Sequence, residues 1–136
     1  MSVRSSERGE GKLKVLVEAQ GLAAYTMQIC KNEKVFLPEY RSSITDDIVH
    51  TANQIFIDLW TANNIYVKTK ADRAERRRLQ ESAANGCNNL LALMQIAHKV
   101  FHLKTKRIKY WGGRTIEVRN LIRAWRDSDS RRYAGL

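Results

Sequence analysis

The feature that most limits how this chain can fold is the apolar spacing between positions 108 and 125. Ile108, Trp111, Thr115, Val118, Ile122 and Trp125 recur every three or four residues. At about 100° per residue they share one arc of a helix. The spacing predicts a helix over about Thr105 to Asp127, with both tryptophans turned into the protein's own core. The same period governs nearly everything upstream, and no strand pattern competes with it.

Three more helices follow from it. The first is predicted over Leu13 to Lys34, with Val15, Leu16, Ala19, Leu22, Ala23, Thr26, Ile29 and Cys30 on one side. Leu13, Val17, Ala24 and Met27 form a second apolar edge. The stretch VFLPEYRSS interrupts, because Pro38 lacks an N–H and restricts Leu37. The second helix is predicted over Ser43 to Asn64, with Ser43 as N-cap and Asp46 and Asp47 complementing the dipole in the first turn. Its stripe is Ile44, Ile48, Ala52, Ile55 and Leu59, broadened by Val49, Phe56 and Trp60, with Ile57 beyond them. The third is predicted over Ala71 to Phe101, burying Leu79, Ala83, Leu90, Met94, Ala97 and Phe101, with Gly86 in mid-helix. Long helices joined by short links predict an all-α, antiparallel up-down four-helix bundle over residues 13–127. A polar tail, 1–12, is expected to be disordered, and a short basic tail follows at 128–136.

Composition supports one folded unit. A chain of 136 residues that is 43% hydrophobic can close a core. With 28% charged residues and one proline, it is not a disordered tail. No apolar run approaches the roughly 18 residues of a membrane span. The start, MSVRSSERGEGK, lacks the apolar region of a secretory signal. A cytoplasmic location is expected, where Cys30 and Cys87 would be free thiols.

The net charge of +10 is unevenly spread. Residues 1–64 hold seven Lys/Arg against eight Asp/Glu; residues 65–136 hold seventeen against six. A concentrated positive field attracts polyanions in a salt-dependent way. RNA, DNA and an acidic protein all qualify. On the last helix Arg119, Arg123 and Arg126 line one border of the apolar arc, and Arg107 and Arg114 line the other. Arg73, Arg76 and Arg77 share a face at the start of the third helix, with Arg78 beside them. Lys99, Lys104, Lys106, Arg107 and Lys109 crowd the turn between the third and fourth helices, and Arg131 and Arg132 follow in the tail. Guanidinium forks match phosphates, and only Glu117 and Asp127 oppose them on the last helix. Arg73, Arg76, Arg77, Arg107, Arg114, Arg119, Arg123 and Arg126 are therefore the candidate nucleic-acid contacts.

Chemistry is sparse by comparison. His98 and His102 stand four apart but lack local cysteine or carboxylate partners, so no metal site is expected. No acid pair, nucleophile elbow or phosphate loop is recognisable, and neither catalysis nor a cofactor is expected.

Three stretches carry a resemblance to a known family: NEKVFLPEYR, IVHTANQIFIDLWTANNI and IEVRNLIRAWRDSDSRRY. They are similar to the accessory variability determinants, small four-helix bundle proteins of diversity-generating retroelements. A related branch is encoded by intervening sequences within large-subunit rRNA genes. The resemblance spans about residues 13–133 and rests on diffuse apolar patterns. It implies a barrel-shaped homo-oligomer, typically a pentamer, with a basic surface. It implies a non-catalytic partner of a reverse transcriptase that works with template RNA and cDNA. The family's basic late-helix residues correspond by region to Arg73, Arg76, Arg77, Arg119, Arg123 and Arg126. The family's Glu-Val-Gly-Arg reads Glu117-Val118-Arg119-Asn120 here, with arginine in place of glycine.

Self-association is also expected from the residues. Val17 and Met27 on the first helix, with Val49, Phe56, Ile57 and Trp60 on the second, lie outside a single bundle's core. Left bare they would form a large apolar patch, and a head-to-tail ring would cover two such patches at once. A module for an acidic protein partner, and an intervening-sequence protein without a retroelement role, are the alternatives.

Overall fold

The computed structural model describes residues 5–136, and their side chains from Lys14 onward. Four helices make up the described chain: α1 (Ser5–Cys30), α2 (Asp46–Asn63), α3 (Lys70–Phe101) and α4 (Thr105–Arg132). There is no strand among the described residues. Each of α1 and α3 lies against both α2 and α4, which closes a four-helix bundle around one core.

The expected disordered tail is corrected in part. Its first four residues lie outside the described ones, while residues 5–12 belong to α1. Gly9 and Gly11 do not end the helix, since an interior glycine costs only about 1 kcal/mol against alanine. At the other end α4 continues through Arg132 and takes up most of the expected C-terminal tail.

Ser43 is not the cap of α2. Pro38–Tyr40 forms a 3-10 turn and Arg41–Thr45 a π-helical turn that runs straight into α2. Thr45 already has helical backbone angles, φ −62° and ψ −43°, so α2 has no bare first turn for a side chain to cap. Asp46 and Asp47 do occupy its first turn. The cap sits instead on α3. The Asp72 amide donates to Thr69 Oγ1, and the Thr69 amide donates to Asp72 Oδ2, both at 3.1 Å. This reciprocal pair satisfies two otherwise orphaned donors. The Lys68 amide, followed by the Thr69 hydroxyl and amide, holds the Asp72 carboxyl below its ordinary range. At the far end of α3, His102 takes the left-handed conformation, φ 53°, and its N–H returns to the His98 carbonyl.

The predicted stripes face inward. Ile44, Ile48, Ala52, Ile55 and Leu59 are buried, as are Leu79, Ala83, Leu90, Met94, Ala97 and Phe101. Trp111 is wholly enclosed and donates from Nε1 to Thr26 Oγ1 at 3.0 Å. Trp125 is also buried. Phe36 lies 5.0 Å from Phe101 and 6.3 Å from Trp111 by ring centroid, and with Tyr40 it covers the core's end. Gly86 permits a close approach: a Cβ there would stand 2.8 Å from Ile55 Cγ1. Cys30 and Cys87 are free and buried. Burial pushes both thiols up to about 12, and at Cys87 the charges of Arg119 and Arg123 only partly oppose it.

Candidate nucleic-acid interface

The eight nominated arginines separate into three groups, and the separation follows from what each finds within its own chain. At the start of α3 they are largely consumed by structure. Arg76 is only 3% exposed. Its Nε and Nη2 donate to the two oxygens of Asp129 on α4, at 2.7 and 3.2 Å. Its guanidinium also sits 4.9 Å over the Trp125 ring, and Gln80 completes the Asp129 carboxylate at 2.8 Å. Arg76 is therefore withdrawn from the candidate contacts, because a buried, doubly bonded guanidinium cannot reach a phosphate. Its neighbours are partly tied. Arg77 meets Glu81 at 3.1 Å and Ser130 at 2.7 Å, and Arg78 meets Glu75 at 2.6 Å. Both of these carboxylate pairs are exposed, so they hold weakly. The Arg78 guanidinium lowers the Glu75 carboxyl by hydrogen bonding. Arg73 donates to the Tyr133 carbonyl at 2.8 Å.

The second group lies along the border of α4 that faces α3. Arg119 donates to the Asn88 side chain at 2.8 Å, with its Nε buried and unpartnered among the described residues. Arg123 is exposed and meets no acceptor among the described residues. Arg126 is half-buried and touches Asp127 at 3.3 Å.

The third group lies on the border that faces α1, and here the structure assembles something the sequence did not display. Arg107 donates to the Tyr25 hydroxyl at 2.8 Å, with its guanidinium 5.8 Å from that ring's centroid. Arg114 stands 5.5 Å from the Tyr25 ring and 5.9 Å from Tyr110. The two tyrosines meet edge to face at 5.2 Å. Gly21 makes room for this arrangement, since a Cβ there would stand 2.6 Å from Arg114 Nη2. A groove of about 270 Å³ is lined by Tyr25, Tyr110, Lys104, Lys106 and Arg107. It shares Tyr25, Lys104 and Arg107 with a larger cavity of about 540 Å³ that reaches Phe36 and Phe101. Among the described residues, no carboxylate lines either space.

Periodicity did carry one signal for the tyrosines: with Trp111 turned inward, Tyr110 must point roughly 100° away, toward the surface. That it would meet Tyr25 is a matter of how α1 and α4 pack.

A further groove of about 460 Å³ runs between α2 and α3, where His50, Gln54, Asp58, Ser82 and Asn85 converge. Asp58 accepts from Gln54 and from Ser82, each at 2.9 Å, so the Ser82 proton is directed into a structural bond. His98 is half-buried and His102 exposed. Among the described residues, no three His, Cys, Asp or Glu side chains gather into a metal-binding group. None of the described helices is long and apolar enough to cross a membrane.

The nominated self-association residues divide as well. Val17, Met27, Ile57 and Trp60 are exposed, Trp60 by 55%. Val49 and Phe56 are half-buried and pack against their own core. Phe56 supports the Trp60 ring from 5.9 Å. Compared with family models, with curated proteins and with solved structures, the chain finds no match.

Proposed function

We propose that this protein is a non-catalytic scaffold that binds nucleic acid through the two cationic borders of α4. The observation that carries the reading is that Arg107, Arg114, Arg119 and Arg123 meet no carboxylate among the described residues. Backbone phosphates are the complementary partner for such a surface, and they position a strand without reading its bases. The resemblance in the sequence supplies the setting: an accessory protein of a diversity-generating retroelement, docking a reverse transcriptase on template RNA or cDNA.

The bundle is proposed to be antiparallel and up-down. Support comes from pairings that run in opposite senses along neighbouring helices, Arg76 with Asp129 and Asn88 with Arg119 for α3 and α4. Trp111 with Thr26, and Gly21 beside Arg114, do the same for α1 and α4. Its bare apolar residues Val17, Met27, Ile57 and Trp60 are proposed to meet another copy in a barrel-like ring, which the resemblance puts at five.

Filter binding of RNA and DNA across a salt series tests the reading. Four to six phosphate contacts predict a log–log slope of roughly −3 to −4 on single strands. The triple variant R119Q/R123Q/R126Q is expected to bind roughly tenfold more weakly with a shallower slope. A flat salt response, or wild-type affinity in that variant, refutes it. A preference for an acidic protein over both polymers would favour the alternative interaction module.

A further inference from the structure

We propose that the end of the bundle where α1 meets the start of α4 is a stacking site for single-stranded nucleic acid. Tyr110 is the base platform, and Arg107, Arg114, Lys104 and Lys106 are the phosphate contacts. The inference rests on the nucleic-acid reading above and deepens it, by naming the form of the polymer and where it binds.

Two properties of the site distinguish it from the cationic border on the α3 side. The first is an aromatic surface left open. Tyr110 is 55% exposed, although its neighbour Trp111 is fully enclosed. Tyr25, edge to face at 5.2 Å, and the Arg114 guanidinium, 5.9 Å from the ring centroid, brace the ring, and more than half of the residue stays exposed. Bases offer a π-face to such a ring whatever their identity, but only when they are unpaired and splayed from a helix. Beside the α3-side border of Arg119, Arg123 and Arg126, the ring that shares a space with Arg126 is Tyr133, which is half-buried.

The second property is charge held in place without being neutralised. Arg107 uses one donor on the neutral Tyr25 hydroxyl, and Arg114 makes no hydrogen bond among the described residues. A guanidinium carries five donors, so most remain for an anion. The cation–π contacts with Tyr25 fix where both groups stand while leaving their charge intact. Lys104 and Lys106 add charge on the wall of the same groove. A duplex presents its bases stacked inside and cannot use the ring, while a loose strand engages ring and charges together.

The test measures fluorescence anisotropy of labelled oligo(U), oligo(dT) and a duplex, each of about 12 nucleotides, on the full chain. Tyr110→Ala is expected to weaken single-strand binding about tenfold, with duplex binding unchanged. Tyr110→Phe keeps the ring and should bind within about twofold of wild type. Because Tyr110 is exposed, Tyr110→Phe should melt as wild type does and Tyr110→Ala, which loses the contacts with Tyr25 and Arg114, should stay folded with only a small drop in melting temperature, which thermal unfolding checks. Tighter binding of either polymer than of duplex supports the site, and the tighter of the two identifies the strand as RNA or DNA. Equal losses on strand and duplex, no loss in Tyr110→Ala, or displacement by polyglutamate as effective as by oligo(dT), each overturns it. If wild type binds with a steep salt response while Tyr110→Ala loses nothing selectively, this inference falls and the nucleic-acid reading stands. If wild type binds no nucleic acid at low salt, both fall.

Discussion

Arg76 and Asp129 bring opposite charges together in a place that water barely reaches, with side-chain exposures of 4% and 11%. Removing two charges from water is costly, and only good geometry offsets it. Here the geometry is two-pronged, with Gln80 as a third donor to Asp129 and the Trp125 face beneath the guanidinium. Breaking one partner leaves the other stranded. Asp129→Ala is expected to destabilise the fold by about 3–5 kcal/mol, read from urea unfolding. Replacing both partners by apolar residues of similar size is expected to cost far less. The same residues show what was legible at this scale. Arg76 stands three positions before Leu79, and Asp129 four after Trp125, so both continue the arcs that select the core. Counting arginines as surface charge concealed Arg76, because a charged residue on a core stripe is a paired one far more often than a free one.

At the level of helices, the apolar period located all four with good fidelity, and boundaries were its weak point. Nothing in RSSIT distinguishes a π turn from the first turn of α2, since both continue the same inward stripe through Ile44 and Ile48. The start of α3 was readable in principle, because Thr69 and Asp72 have the spacing of a capping box. Gly86 is the element-scale residue with a sharp consequence. In an open helix, alanine would improve on glycine by up to about 1 kcal/mol. Here the added Cβ would press on Ile55 Cγ1, at 2.8 Å, and Ile55 is itself buried and branched. Gly86 itself is half-buried at the edge of the α2–α3 groove, but Ile55 is held by the core, and overpacking against such a side chain costs about 1–3 kcal/mol. Gly86→Ala is therefore expected to lower the melting temperature, and a rise would show that α2 and α3 can separate without penalty.

For the molecule as a whole, the sequence conveyed the sign and position of the charge but not its availability. The excess of positive residues after position 64 is plain from counting. Which guanidiniums stay open depends on acceptors brought from other helices: Asp129 and Ser130 for α3, Asn88 and Tyr25 for α4. The bare apolar residues have a similar status. Pattern put Val49, Phe56, Ile57 and Trp60 on one edge beside the core stripe, and packing half-buries the first two while leaving Ile57 and Trp60 exposed. Light scattering is expected to give a mass several times the 15.7 kDa of one chain. The variant I57E/W60E is expected to scatter as a single chain, since charge placed on a buried apolar contact opposes association. A single-chain mass for wild type would remove the ring from the proposal.

The two poles of the bundle are built differently. At one, Arg73, Arg76, Arg77 and Gln80 bolt the beginning of α3 to the end of α4 and the residues after it. At the other, beneath the His102 turn, the wall between α1 and α4 is hollowed by about 540 Å³. Breathing of the fold should accordingly begin at the hollow pole and spare the bolted one. A strand lodged in that mouth would act as a wedge that quiets the looser half, so loading the protein and stiffening it would be a single event.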